Sequence, residues 1–143
     1  MRNIAIVFYS GTGNTEAMAE AIAEGVNQAG AQAILIHAQA FSSAMLEEYD
    51  AIAFGCPARG VEELEEEFFE PMFSALEDTL KGKRVALFGS YGWGEGEWMK
   101  EWQGRTLALG AILVTEPIIS LEEPDEETLE ACKALGAELA LKD

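Results

Sequence analysis

The residues with the most chemical content stand together near the start of the chain, in the run Ser10-Gly11-Thr12-Gly13-Asn14-Thr15. Its two glycines allow a tight turn in which backbone N–H groups converge on an anion. The hydroxyls of Ser10, Thr12 and Thr15 and the side-chain amide of Asn14 add neutral donors. A helical pattern follows at once, so the positive end of a helix dipole faces the same point. The run has no lysine and lacks the spacing of a nucleotide-hydrolysing P-loop, and its Gly-x-Gly lacks the third glycine of a dinucleotide fingerprint. Such donors suit a terminal phosphate monoester held without a counter-charge.

Two later stretches are also unusual: Gly55-Cys56-Pro57-Ala58-Arg59-Gly60-Val61-Glu62-Glu63, and Gly89-Ser90-Tyr91-Gly92-Trp93-Gly94-Glu95-Gly96-Glu97-Trp98. Trp93, with a glycine on each side, is badly placed to fill a core and well placed to stack on a flat ring.

These stretches follow apolar, β-branched-rich runs that alternate with helical patterns along the chain. Strands are expected at Asn3–Tyr9, Gln32–His37, Ala51–Gly55, Arg84–Gly89 and Ala111–Thr115, the last reaching toward Ile119. Helices are expected at Thr15–Ala29, Phe68–Leu80, Glu97–Leu109 and Asp125–Leu141, with a short helical turn around Ser43–Glu48. In the first helix Met18, Ala21, Ile22 and Val26 form one apolar stripe. Ile4–Phe8 and Val85–Phe88 are continuously apolar, as expected of strands covered by helices on both faces. Alternating βα units imply right-handed crossovers and a doubly wound, five-stranded parallel sheet in one α/β domain spanning residues 1–143. In such a sheet a ligand binds beyond the carboxyl ends of the strands, where the loops after the first, third and fourth strands meet.

Composition narrows the classes of partner. Nine Lys+Arg against 26 Asp+Glu give a net charge of −17 at pH 7, which disfavours nucleic acid and anionic membrane. No apolar run approaches the roughly 20 residues of a membrane span. The first residues run straight into a strand pattern, so a cytoplasmic location is expected. Cys56 and Cys132 are too few for a metal site and are read as small buried fillers.

Taken together, these residues resemble the flavodoxin family, specifically its short-chain, anaerobe-type members. The resemblance covers essentially the whole chain. It is strongest in Ser10–Glu16, Gly55–Pro71 and Val85–Met99, where Leu87-Phe88-Gly89-Ser90-Tyr91-Gly92-Trp93-Gly94 reads like a family signature. Long-chain members carry an insertion in the fifth strand, for which Ala111–Ile119 leaves no space.

The resemblance implies a flavodoxin-like fold and one non-covalently bound FMN. By similarity, Ser10, Gly11, Thr12, Gly13, Asn14 and Thr15 would hold the phosphate, assisted by Ser90. Trp93 would cover one face of the ring, and Ala58, Arg59 and Gly60 would lie against the other face and inner edge. Glu62 would accept from the flavin N3–H, and amides of Tyr91, Gly92 and Trp93 would approach the pyrimidine edge. The peptide after Gly60 would turn over on one-electron reduction, a change that glycine makes inexpensive. Arg59 departs from the usual uncharged residue, often methionine, at its position. If stacked on the ring, its charge would favour the reduced anion.

The implied function is a low-potential one-electron carrier using the semiquinone/hydroquinone couple in place of ferredoxin, not an enzyme. The implied partners are basic-faced oxidoreductases and reductases docking on a monomer at an acidic flavin edge. Glu62, Glu63, Glu65, Glu66, Glu67, Glu70, Glu95 and Glu97 would form that edge. An FMN-dependent quinone or nitro reductase, and a dedicated activator of one enzyme, are the alternatives.

Overall fold

β1 (Asn3–Phe8) sits in the middle of the fold, so both of its faces must be apolar. Its side chains alternate between two cores. Ile4, Ile6 and Phe8 pack toward α1 (Asn14–Gln28) and α4 (Glu126–Ala140), whereas Ala5 and Val7 join the opposite cluster. That second cluster gathers Phe54, Phe69, Phe73, Trp98 and Trp102 under α2 (Phe69–Ala75) and α3 (Glu97–Ala108). A fully buried Ile or Phe contributes about 1.5–3 kcal/mol, so two filled layers hold the sheet rigidly between helices. The structure, a computed structural model, describes residues 2–58, 64–92 and 94–141.

The other strands are β2 (Gln32–His37), β3 (Ala51–Gly55), β4 (Arg84–Tyr91), β5 (Ile112–Leu113) and β6 (Ile118–Leu121). All pairings are parallel in the order β2-β1-β3-β4-β5, with β6 also paired to β4. This 2-1-3-4-5 order is the one known of flavodoxin-like sheets, whose ligand crevice lies at the β1/β3 reversal. The expected doubly wound α/β architecture is present, and its fifth strand position is filled by two short segments.

Several expected boundaries differ, most by a single residue and a few by more. The fifth strand breaks because Pro117 has no N–H to give the ladder. Ile112 and Leu113 pair with Arg84 and Val85, and pairing resumes at Ile118 opposite Phe88. Five steps of the outer strand thus face three of β4, which bends the edge as a bulge does. β4 runs on to Tyr91 because β6 pairs that far, Tyr91 opposite Leu121. The second helix ends at Ala75 rather than Leu80. Beyond it the amides of Leu76, Glu77 and Thr79 donate three residues back, and the Thr79 hydroxyl also donates to the Leu76 carbonyl at 2.8 Å. Leu76 and Leu80 remain buried, so the apolar spacing outlasts the helix. The turn at Ser43–Glu48 is a 3-10 helix, preceded by another at Ala38–Ala40.

Candidate functional site

The run Ser10–Thr15 leaves the carboxyl end of β1 and enters α1 at Asn14. Gly13 makes the turn with φ of 96°, in the left-handed region that glycine occupies without strain. The Ser10 hydroxyl organises the loop from inside, accepting from the amides of Gly13 at 3.1 Å and Glu16 at 3.2 Å. The N-cap residue of α1, Gly13, has no side chain to cap the helix, so the positive end of the helix is directed at the loop. Ser10 is therefore partly a structural residue, and its hydroxyl hydrogen remains available to an anion.

The loop is fixed to the one after β4. Thr15, 1% exposed, places Oγ1 2.8 Å from Ser90 Oγ, and the Ser90 amide donates to the same Oγ1 at 3.3 Å. Ser90 in turn accepts from the Ala58 amide at its carbonyl, 3.0 Å away, which brings in the segment after β3. Gly89 lets these segments meet: a Cβ there would stand 2.1 Å from the Cys56 carbonyl oxygen. That oxygen accepts from Trp98 Nε1 at 3.4 Å, and the Trp98 ring lies 5.3 Å from that of Tyr91. Trp98 therefore backs both loops.

The three segments enclose a cleft of about 610 Å³ lined by Gly11, Thr12, Asn14, Pro57, Ala58, Ser90, Tyr91, Gly92 and Glu122. Ten of the fourteen expected site residues are described: Ser10, Gly11, Thr12, Gly13, Asn14, Thr15, Ala58, Ser90, Tyr91 and Gly92. Seven of these line the cleft, and Ser10, Gly13 and Thr15 shape it from behind. Arg59, Gly60, Glu62 and Trp93 lie outside the described residues.

Glu122 was not anticipated. It follows β6 with φ of 59°, a backbone setting uncommon for glutamate, and its amide donates to the Tyr91 carbonyl at 2.6 Å. The Ser120 hydroxyl donates to the Glu122 carbonyl at 3.2 Å. The sequence Leu121-Glu122-Glu123-Pro124 carries no glycine to mark this turn; only its place beyond the carboxyl end of a strand could have pointed to it.

The acidic run after β3 is not uniform. Glu65, 5% exposed, turns inward and accepts amides of Glu67, Phe68 and Phe69, each at 2.8 Å, capping the start of α2. Its own amide donates to Cys56 Sγ at 3.3 Å. Glu70 forms paired hydrogen bonds with Arg105, at 2.9 and 2.8 Å. Burial resists its ionisation, but the Arg105 and Ser74 hydrogen bonds and the Arg105 charge hold its carboxyl below the ordinary value. Glu65 and Glu70 thus leave the expected acidic edge, because each satisfies a nearer demand. Glu66, Glu67, Glu95 and Glu97 are exposed.

The donor set fits a phosphate-bearing flat cofactor. The cleft has hydroxyls, a side-chain amide and a helix N-terminus at one end, apolar and glycine backbone along its length, and no cation among its described lining residues. The family model described as Flavodoxin matches residues 6–136. The chain belongs to the flavodoxin family. It is 47% identical to a flavodoxin of Megasphaera elsdenii over 133 residues, covering 93% of this chain and 95% of that protein. With a flavodoxin of Clostridium beijerinckii it shares 42% identity over 135 residues, covering 94% and 97% respectively. The solution structure of two-electron reduced Megasphaera elsdenii flavodoxin superposes with a TM-score of 0.88 over 96% of this chain and 98% of that one, at 46% identity. Flavodoxins bind FMN and carry electrons rather than catalyse turnover, and that cofactor and role come to this chain with its membership. No described helix is long and apolar enough to cross a membrane.

Proposed function

We propose that this flavodoxin is a low-potential one-electron carrier, working in the cytoplasm in place of ferredoxin as a monomeric single domain of residues 1–143. The observation that carries it is the Thr15–Ser90 hydrogen bond, which sets a cradle of hydroxyls and amides beside the cleft, with no cation among the described lining residues. FMN, when bound, supplies the redox chemistry. The chain supplies the phosphate donors from Ser10, Gly11, Thr12, Gly13, Asn14, Thr15 and Ser90. With FMN bound, Tyr91 and Gly92 would offer backbone at the ring edge, and Ala58, Arg59 and Gly60 would lie against one face with Trp93 against the other. Glu62 would accept a hydrogen bond from the flavin N3–H.

Glu122 is the charged residue among the described lining of the cleft. With a net charge of −17 around it, the site disfavours adding a further negative charge, which favours a low second potential. The exposed Glu66, Glu67, Glu95 and Glu97 favour oxidoreductases and reductases with basic docking faces.

Comparing FMN with riboflavin tests the cradle. FMN should bind one per chain and roughly two orders of magnitude tighter than riboflavin, as several charge-assisted hydrogen bonds to phosphate require. Equal affinities would show that the loop does not hold phosphate.

A further inference from the structure

Every positive φ among the described residues belongs to a glycine except that of Glu122. Its φ of 59° puts a Cβ in the left-handed region, where an L side chain crowds the following carbonyl oxygen and lowers stability. The connection explains why the backbone turns there. β6 ends at Leu121, and Asp125 caps α4 by accepting from the Thr128 amide at 2.8 Å, so Glu122–Pro124 alone join strand to helix. Two hydrogen bonds fix the turn. The Glu122 amide donates to the Tyr91 carbonyl at 2.6 Å, and its carbonyl accepts from the buried Ser120 hydroxyl at 3.2 Å. Both use backbone atoms of Glu122, and glycine would supply them with less strain. The glutamate side chain therefore needs a separate reason.

That reason lies in the flavin cleft. Glu122 lines it together with Tyr91 and Gly92, and a Cβ on Gly92 would stand 3.9 Å from Glu122 Cγ. The phosphate-loop residues Gly11, Thr12 and Asn14 form a different part of the lining. An ionised carboxylate only accepts hydrogen bonds. It repels a phosphate and has nothing to give the carbonyls of the flavin ring. Outside its phosphate, oxidised FMN carries donors in two places: N3–H on the ring, and the hydroxyls of the ribityl chain that links ring to phosphate. By family resemblance Glu62 is the partner of N3–H, which leaves the ribityl hydroxyls for Glu122.

We infer that Glu122 is a specificity residue for the ribityl chain, its carboxylate accepting a hydrogen bond from a ribityl hydroxyl. The strained backbone is retained because a side chain is needed at that point of the cleft. The inference rests on FMN filling the cleft and is independent of the potentials and partners proposed above.

The test is a titration of the apoprotein with FMN and with 2′,3′,4′-trideoxy-FMN, which keeps the ring and the phosphate, followed by flavin fluorescence. Wild type is compared with Glu122→Ala, which keeps a Cβ at positive φ and loses the carboxylate, and with Glu122→Gly, which loses both. Removing the ribityl hydroxyls should weaken binding to wild type about tenfold more than binding to either variant. Thermal unfolding of the apoproteins reads the strain without any flavin. Glu122→Gly should melt above Glu122→Ala, since both lack the charge and differ only in the Cβ. An equal effect of the hydroxyls in all three proteins would overturn the ribityl contact. A glycine variant that melts at or below the alanine variant would overturn the strain argument. Wild type that binds neither flavin would remove the FMN cleft and this inference together, whereas tight FMN binding with equal hydroxyl effects removes the inference alone.

Discussion

Thr15 Oγ1 and Ser90 Oγ lie 2.8 Å apart in the protein interior and join the loop after β1 to the end of β4. Both residues are nearly buried, so each hydroxyl depends on the other and the pair acts as one positioning element. Thr15→Val keeps the shape and leaves both the Ser90 hydroxyl and its amide without this partner. An unsatisfied buried group costs about 1–3 kcal/mol, so FMN affinity should fall about tenfold with the far-UV circular dichroism unchanged. Unaltered affinity would mean that the two loops hold their places without this bond.

The Glu70–Arg105 pair gives acid sensitivity a definite sign. The folded-state carboxyl ionises below the ordinary value of 4.5, so the unfolded chain binds its proton more readily. The stabilisation is complete above that value and is lost as pH falls through the lower folded-state value. The Glu70 side chain is 38% exposed, so solvent screening keeps the gain small. Arg105→Met should lower Tm at neutral pH, and the gap from wild type should narrow on acidification below 4.5. A gap that stays constant into the acid range would assign the effect to lost packing on Phe73, whose ring centre lies 4.9 Å from the guanidinium carbon.

Much of this was legible in the residues. The Ser10–Thr15 loop stood out by its glycines and hydroxyls, and it lies between β1 and α1 beside the cleft. α1, α3 and α4 follow their apolar periodicity to within one residue at each end. Where a tertiary demand competed, sequence reasoning stopped short. The apolar spacing through Leu76 and Leu80 looks helical, yet the chain there turns in three-residue steps. Glu65 reads as one more surface carboxylate, and only the fold reveals three amides waiting for it. Glu122 enters the cleft through the break at Pro117 and the renewed pairing of β6, neither visible as a motif.

That division among the acidic residues has a kinetic consequence. Electron transfer to a basic-faced partner should slow as ionic strength rises, because screening removes long-range attraction. Glu66→Gln with Glu67→Gln should flatten the dependence, whereas Glu65→Gln should lower stability and leave the slope as it is. A rate indifferent to salt would remove the steering role.

Anaerobic stepwise reduction of the FMN-loaded protein tests most directly whether the flavin cradle is tuned for single electrons. Two well-separated one-electron steps in the visible spectrum, with a low second potential, are the predicted result. Direct passage to the two-electron state in one step would contradict it.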